Sequence, residues 1–288
     1  MLAGGTESMS QAPFALPHRA RWGYKMVPSG SAPMYDTLIH DGLTDPIAKQ
    51  GMGDETERLT SEYGVTREEL DRVAYESHRR AAEATAAGHF EAEIAPIEVR
   101  SKGGASLMVV DEGIRADKTP ERLAALNPAF SMGGTLTAGN ASQISDGAAA
   151  LLLASEEAIH KHNLTPLARV LGSSWAAGES WRFVEAPINA VRKLLGKLDW
   201  TLETIDLVEN NEAFATNSVL FHSELGIPYE KLNIWGGAIA LGHPIGCSGA
   251  RILVTLLSAL RATGGTRGRA ICGTIRTHAP LLPAAPAR

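Results

Sequence analysis

The sequence predicts a layered α/β fold, on three observations. A polar capping signal opens an amphipathic run at Thr66. A nearly all-apolar run of helix length spans Arg251 to Leu260. Short apolar runs of strand length alternate with helical patterns through the second half of the chain, the pattern of stacked sheets and helices.

The first element is the clearest. Thr66-Arg-Glu-Glu69 has the Thr-x-x-Glu spacing of a capping box. Leu70, Val73, Ala74, Ser77 and Ala81 follow at helical spacing, and Gly88 ends the run. Ile94–Val99 alternates like a short strand, and Ala148–Ala154 (AAALLLA), after Asp146-Gly147, reads as a buried one. Leu167–Leu171 is a further strand, Ala190–Leu195 starts a short helix before Trp200, and Ile205–Val208 is another buried strand. Arg251–Leu260 (RILVTLLSAL) is apolar nearly all round, so that helix is expected to be buried on most sides. Arg269–Ile275 would be a last strand. Pro13 to Asp54 is rich in Pro, Gly and Ser and reads as loops. From Thr277 on, THAPLLPAAPAR shows no packing pattern and is expected to be disordered.

Composition narrows the functions. The chain has 288 residues, 44% hydrophobic and 20% charged, enough for a sizeable core. A net charge of -5 argues against nucleic-acid binding as the main role. The two cysteines, Cys247 and Cys272, imply neither a disulfide framework nor a CxxC metal pair. Met1–Gln11 lacks the basic and apolar regions of a secretory signal, and no apolar run approaches the roughly 20 residues of a membrane span. A cytoplasmic protein without a metal, with no membrane and no nucleic-acid partner, is expected.

Three segments carry chemistry. Gly236–Gly249 (GGAIALGHPIGCSG) places five glycines in fourteen residues around His243 and leads into the apolar helix. Free backbone N–H groups gather at such a helix start, and a histidine held there suits acid–base work near neutral pH. No GK[ST] follows, so it is not a nucleotide P-loop. A packed turn around a satisfied histidine fits the same spacing. Asn210-Asn211-Glu212-Ala213-Phe214-Ala215 follows the strand IDLV, at the carboxyl end where open α/β sheets place ligands. An amide there can hold a water or donate toward an oxyanion; Glu212 is either a base or a buried, paired carboxylate. Thr137–Gly147 (TAGNASQISDG) brings small residues with Asn140 and Ser142, suited to an extended ligand or to an ordinary capped turn.

Together these segments resemble the thiolase family. AGGTESMSQAP (Ala3–Pro13), TAGNAS (Thr137–Ser142), NEAFA (Asn211–Ala215) and GGAIALGHPIGCSGARI (Gly236–Ile252) stand in family order, and the likeness runs from Met1 to about Cys272. The resemblance implies a five-layer α-β-α-β-α fold, its first half incomplete here, with an inserted loop domain. Residues 1–13 would be a remnant of the first half, 14–144 the loop domain and return, 145–165 the end of that half, 166–276 the C-terminal half and 277–288 a tail. It implies condensation of two acyl-CoA molecules, or cleavage of a 3-oxoacyl-CoA by CoA, in acyl-CoA or fatty acid metabolism. An acyl-enzyme forms on a cysteine, with no cofactor beyond the CoA thioester. His243 would activate that cysteine and bind the thioester oxygen, Asn211 would hold a water completing the oxyanion site, and Cys272 would be the second, proton-moving cysteine. Ser142 would lie against the pantetheine arm near Phe130, Ala138 and Phe214, with Met52 close by. A homodimer or homotetramer would follow.

The chain departs from the family pattern. The nucleophilic cysteine belongs upstream of the motif that begins here at Ala3, and neither cysteine occupies its place; Cys247 sits in the variable slot of GHPIGCSG and is expected to be a small buried residue. The opening MLAGGTES reads as a start in mid-fold. The family's Cys-x-Gly-Gly-Gly turn is replaced by ICGTIRTHAP, with Cys272 one position early. A shifted reading frame near Arg267–Cys272 would explain this, Arg269 in a buried strand and the patternless tail. Gly51 stands where short-chain thiolases carry a histidine before Met52-Gly53. The expected protein is a thiolase inactive as this chain, or a non-catalytic CoA-binding or partner subunit. A Ser-His hydrolase using Ser8 or Ser142 is disfavoured by the lack of a G-x-S-x-G elbow.

Overall fold

The computed structural model describes residues 1–23, 33–101 and 103–272, and the backbone of 277–282. The elements in chain order are β1 (Leu2–Ser8), β2 (Phe14–Ala15), β3 (Tyr35–Asp36), α1 (Met52–Glu62), α2 (Arg67–Ala86), β4 (Ile97–Ser101), β5 (Gly104–Met108), α3 (Pro120–Ala124), β6 (Asp146–Leu152), α4 (Glu156–His162), β7 (Gly172–Ala176), α5 (Ala186–Leu198), β8 (Leu207–Asn210), α6 (Ala215–Leu225), α7 (Ala238–Leu241), α8 (Ile245–Thr263), β9 (Gly268–Ile271) and β10 (Thr277–Leu282).

Two sheets matter for function. β1 and β6 form an antiparallel pair with Leu2 opposite Leu152. The other sheet has the order β7-β10-β9-β8, with β8 and β9 parallel. Helix α8 lies between them, against β1 and β6 on one side and β8 and β9 on the other. Its most apolar 18-residue window has a mean hydropathy of 1.3, which its place between the two sheets accounts for. The expectation that no apolar run approaches span length was too strong, because α8 starts six residues before Arg251. The close approach of α8 to β1 needs a residue without a side chain: a Cβ on Gly5 would run into the carbonyl of Gly246. On the far face of the four-stranded sheet, Val208 and Ile271 pack with Leu194 of α5 and with Val219 and Leu220 of α6. The described residues thus build four alternating layers, helix, sheet, helix, sheet. The outer face of β1–β6 stays open, with Leu2 and Leu152 at least 70% exposed.

The capping box at Thr66 forms: Thr66 Oγ1 accepts from the Glu69 N–H and Glu69 accepts from the Thr66 N–H. Between Pro13 and Asp54 only short pieces form before α1, as the loop-rich reading expects; residues 24–32 lie outside the described ones.

Several elements differ from expectation. Leu167–Leu171 is not a strand; β7 begins at Gly172, because Val170 and Leu171 point outward at more than a third exposure before the chain reaches the sheet. β4 covers Ile97–Ser101 rather than 94–99, since its partner β5 is set by the turn at Gly104 (φ +117°). β6 starts at Asp146 and is half-exposed rather than buried, because only α8 covers it. The tail expectation is corrected in part: the backbone of 277–282 pairs between β7 and β9, since β9 and β7 both present open edges there. Residues 273–276 and 283–288 lie outside the described ones. Arg269 is fully buried, and its guanidinium has no hydrogen-bond partner among the described residues. Burial pushes it down to about 10.

Thr66→Ala is expected to lower the unfolding free energy by about 1 kcal/mol, the usual worth of a lost N-cap. Urea denaturation reads this directly, and an unchanged midpoint would show that the box contributes nothing.

Candidate active site

The site grows from the carboxyl ends of the parallel strands β8 and β9. Their register pairs Asn210 with Ile271, and the Asn211 N–H donates to the Ile271 carbonyl at 2.9 Å. Asn211 and Cys272 therefore leave the sheet side by side. Glu212 next turns into the left-handed region (φ +60°), which bends the chain away from the strand direction. That conformation is held by three hydrogen bonds to its carboxylate: Ser77 Oγ donates at 2.5 Å, Ser218 Oγ at 3.0 Å and Asn233 Nδ2 at 3.1 Å. Glu212 is thus the buried, paired carboxylate of the two alternatives. Burial pushes its carboxyl up, and these bonds oppose the shift.

His243 comes from the opposite direction. Gly242 (φ +88°) precedes it, and a Cβ there would collide with Ser145. Pro244 then caps α8, whose first turn carries Ser248. The Ser248 hydroxyl donates to the Pro244 carbonyl at 2.9 Å and lies 2.6 Å from His243 Nδ1. With its proton committed to Pro244, Ser248 accepts from Nδ1–H. That leaves the Nε2 lone pair to accept from Asn211 Nδ2, 3.2 Å away. Burial pushes His243 down to about 4, with the charge of Arg251 adding to the effect. The ring is neutral at pH 7, so its Nε2 lone pair is available to accept a proton, though burial makes it a weaker base than a free imidazole.

A second group lies beyond Asn211 along the same segment. Ala141 bridges Phe214, and the Ser142 N–H donates to the Ala213 carbonyl at 2.8 Å. The rings of Phe130 and Phe214 meet edge to face at 5.9 Å. Phe130 also covers Gly53, next to Met52, where any Cβ would strike the ring. Ala138 is exposed on the same Thr137–Asn140 turn. The structure thus gathers the predicted residues into two adjoining groups, His243–Asn211–Cys272 and Met52–Phe130–Ala138–Ser142–Phe214.

Sequence reasoning missed Ser248 and Gln143. Gln143 Nε2 donates to the carbonyls of Gly113, Ile239 and Ala240, which fixes α7 ahead of the histidine. Ser248 had a usable signal, its place in the first helical turn after Pro244. Cys247 is 2% exposed, and burial raises its thiol. Burial also pushes Cys272 up, to about 11, against the pull of Arg251. Neither is an activated thiolate. A separate cavity of about 260 Å³, lined by Arg72, Arg80, Glu212 and Tyr229 among others, does not include His243 or Cys272.

A helix start, a neutral histidine and an amide at the ends of parallel strands define an acyl-transfer type of site. Known proteins carry the same frame. Residues 1–157 match the family model described as thiolase, N-terminal domain, and residues 164–281 that described as thiolase, C-terminal domain. An acetyl-CoA acetyltransferase of Synechocystis is 58% identical over 94% of this chain and 68% of its own length. An acetyl-CoA acetyltransferase of Chromobacterium violaceum is 45% identical over the same shares. The solved structure of human mitochondrial 3-ketoacyl-CoA thiolase superposes with a TM-score of 0.94 at 40% identity, covering 99% of this chain and 71% of that one. The chain belongs to the thiolase family of acyltransferases.

The neutral, half-buried histidine has a consequence for pH. The unfolded chain binds a proton at this ring near its ordinary 6.5, whereas the folded chain does so only near about 4. The contribution to stability is therefore complete above pH 6.5 and is lost as pH falls toward 4. His243→Gln should weaken the acid-side fall in urea midpoint between pH 7 and 4.5, and NMR of the parent should place the ring's titration well below 6.5. A ring midpoint at or above 6.5 would contradict the assignment.

Proposed function

We propose that this chain binds acyl-CoA, with His243 and Asn211 as the oxyanion and proton-transfer pair and Cys272 as the second thiol. The observation that carries the reading is the 3.2 Å contact between Asn211 Nδ2 and His243 Nε2, with the ring fixed by Ser248. Asn211 Oδ1 is buried with no partner among the described residues, an acceptor able to hold a water beside the thioester oxygen. Phe130, Phe214, Met52, Ala138 and Ser142 form the wall for the pantetheine arm. A thiolase of the same fold, the human mitochondrial 3-ketoacyl-CoA thiolase, has been solved in complex with CoA at a TM-score of 0.93. The substrate is the CoA thioester itself, without a resident cofactor, in a cytoplasmic homo-oligomer.

Acetyl transfer needs a cysteine whose thiolate attacks the acyl carbon. The 288 residues hold Cys247 and Cys272, and burial keeps both protonated at neutral pH. This favours a second reading for the chain taken alone, a non-catalytic CoA-binding subunit. By calorimetry the chain should bind CoA, and Phe130→Ala should weaken that binding by about tenfold, in the range of a lost aromatic contact. It should not cleave acetoacetyl-CoA at an enzymatic rate. No heat with CoA would overturn both readings, and turnover surviving Cys272→Ser and Cys247→Ser together would overturn the requirement for a cysteine.

A further inference from the structure

One charged group beside the site has no role in the reading above. Arg251 lies on α8 one turn past Ser248, on the face that also carries Ile252 and Thr255. Ser248, Ile252 and Thr255 are each at most 1% exposed, so this face is turned into the protein. The three guanidinium nitrogens of Arg251 are shielded from solvent and have no hydrogen-bond partner among the described residues. None of the ion pairs among those residues includes Arg251 either. A buried guanidinium left uncommitted is costly and calls for an explanation.

Its surroundings can be assigned from the strands. Leu207 and Ala270 pack with Ile252 and Leu256 of α8. Glu209 lies two residues further along β8, and Cys272, just past the end of β9, packs against the same cluster. Glu209 is 1% exposed, and its Oε2 has no partner among the described residues. Glu93 reaches the same face, where its Oε1 accepts from Thr255 Oγ1 at 2.9 Å and its Oε2 has no partner among those residues. Asp111 approaches from an exposed loop and His243 from the start of α8. The charge of Arg251 acts on all of these groups.

We propose that Arg251 is a positioning residue whose uncommitted guanidinium serves as counter-ion to a thiolate at Cys272, formed when the S–H bond breaks and the proton passes to the bound substrate, or to solvent when no substrate is bound. The proposal rests on Cys272 being the second thiol of the site. It requires the carboxyls around Arg251 to leave its charge unspent. Burial does this for Glu209, whose carboxyl is pushed up to about 8 and is therefore protonated at neutral pH. Burial likewise pushes Glu93 up. The same charge disfavours a proton on His243, so one cation keeps the base neutral and eases ionisation of the thiol.

The test reads alkylation of Cys272 by iodoacetamide, with Cys247→Ala as the parent, followed by mass spectrometry from pH 7.5 to 9.5. The thiolate attacks the methylene carbon, iodide leaves, and the thiol proton goes to buffer, so the rate follows the thiolate fraction. Arg251→Met should slow the reaction about tenfold, the effect of a one-unit rise in the thiol pKa. Arg251→Lys should stay within about threefold of the parent. Glu209→Gln should match the parent below pH 8, because the carboxyl it replaces is already uncharged. Equal rates for parent and Arg251→Met would overturn the proposal, as would equal slowing by Lys and Met. A faster reaction in Glu209→Gln would also overturn it, by showing Arg251 already neutralised; this arm decides even if Arg251→Met fails to fold. No CoA is present, so the outcome is independent of the calorimetry that tests CoA binding.

Discussion

The burial of α8 between two sheets is the constraint on which the rest of the structure depends. A helix with strands on both sides presents apolar side chains to each of them, so its sequence is apolar nearly all round. Its few polar residues on the strand-facing side must then find partners or a purpose. Ser248 holds the histidine, Thr255 holds Glu93, and the guanidinium of Arg251 has no hydrogen-bond partner among the described residues. The first turn of α8 lies where β1 comes closest, which is why Gly5 carries no side chain. Packing and chemistry use the same turn of the same helix.

Much of this was legible in the residues. Thr66 and Glu69 announce α2 because a capping box is a local device, complete within four residues. The motifs around Asn211 and His243 are equally compact, and the structure brings them to within one hydrogen bond across 32 residues of chain. What could not be read depends on distant neighbours. The half-exposure of β6 follows from what covers it, not from AAALLLA. Helix α6 escaped notice because Thr216, Asn217 and Ser218 occupy its buried face, and those polar residues pair with Thr60, Val184 and Glu212 from elsewhere in the fold. Val170 and Leu171 have strand-forming side chains, yet the sheet begins one residue later because β10 pairs only from Gly172 onward.

The polar network under Asn211 shows how a strained turn is kept. Glu212 holds a backbone conformation that non-glycine residues seldom adopt, and its carboxylate ties together α2, α6 and the loop at Asn233. Asn233 itself has a positive φ and accepts from the Asn210 N–H through its side chain. Each of these residues is thus fixed by groups from separate elements, so the position of the Asn211 amide is set by both the first and the second half of the chain.

The donor and acceptor pattern at His243 also couples two movements. Nε2 accepts from the Asn211 amide nitrogen, while the amide oxygen has no partner among the described residues. Once Nε2 takes a proton, it can no longer accept, and the contact is restored only by turning the amide over so that Oδ1 faces the ring. The two N–H bonds of Asn211 then point where the oxygen pointed before. A single proton transfer would in this way reverse the polarity of the amide toward a bound thioester, with neither backbone nor helix moving, and Ser248 would register nothing at all.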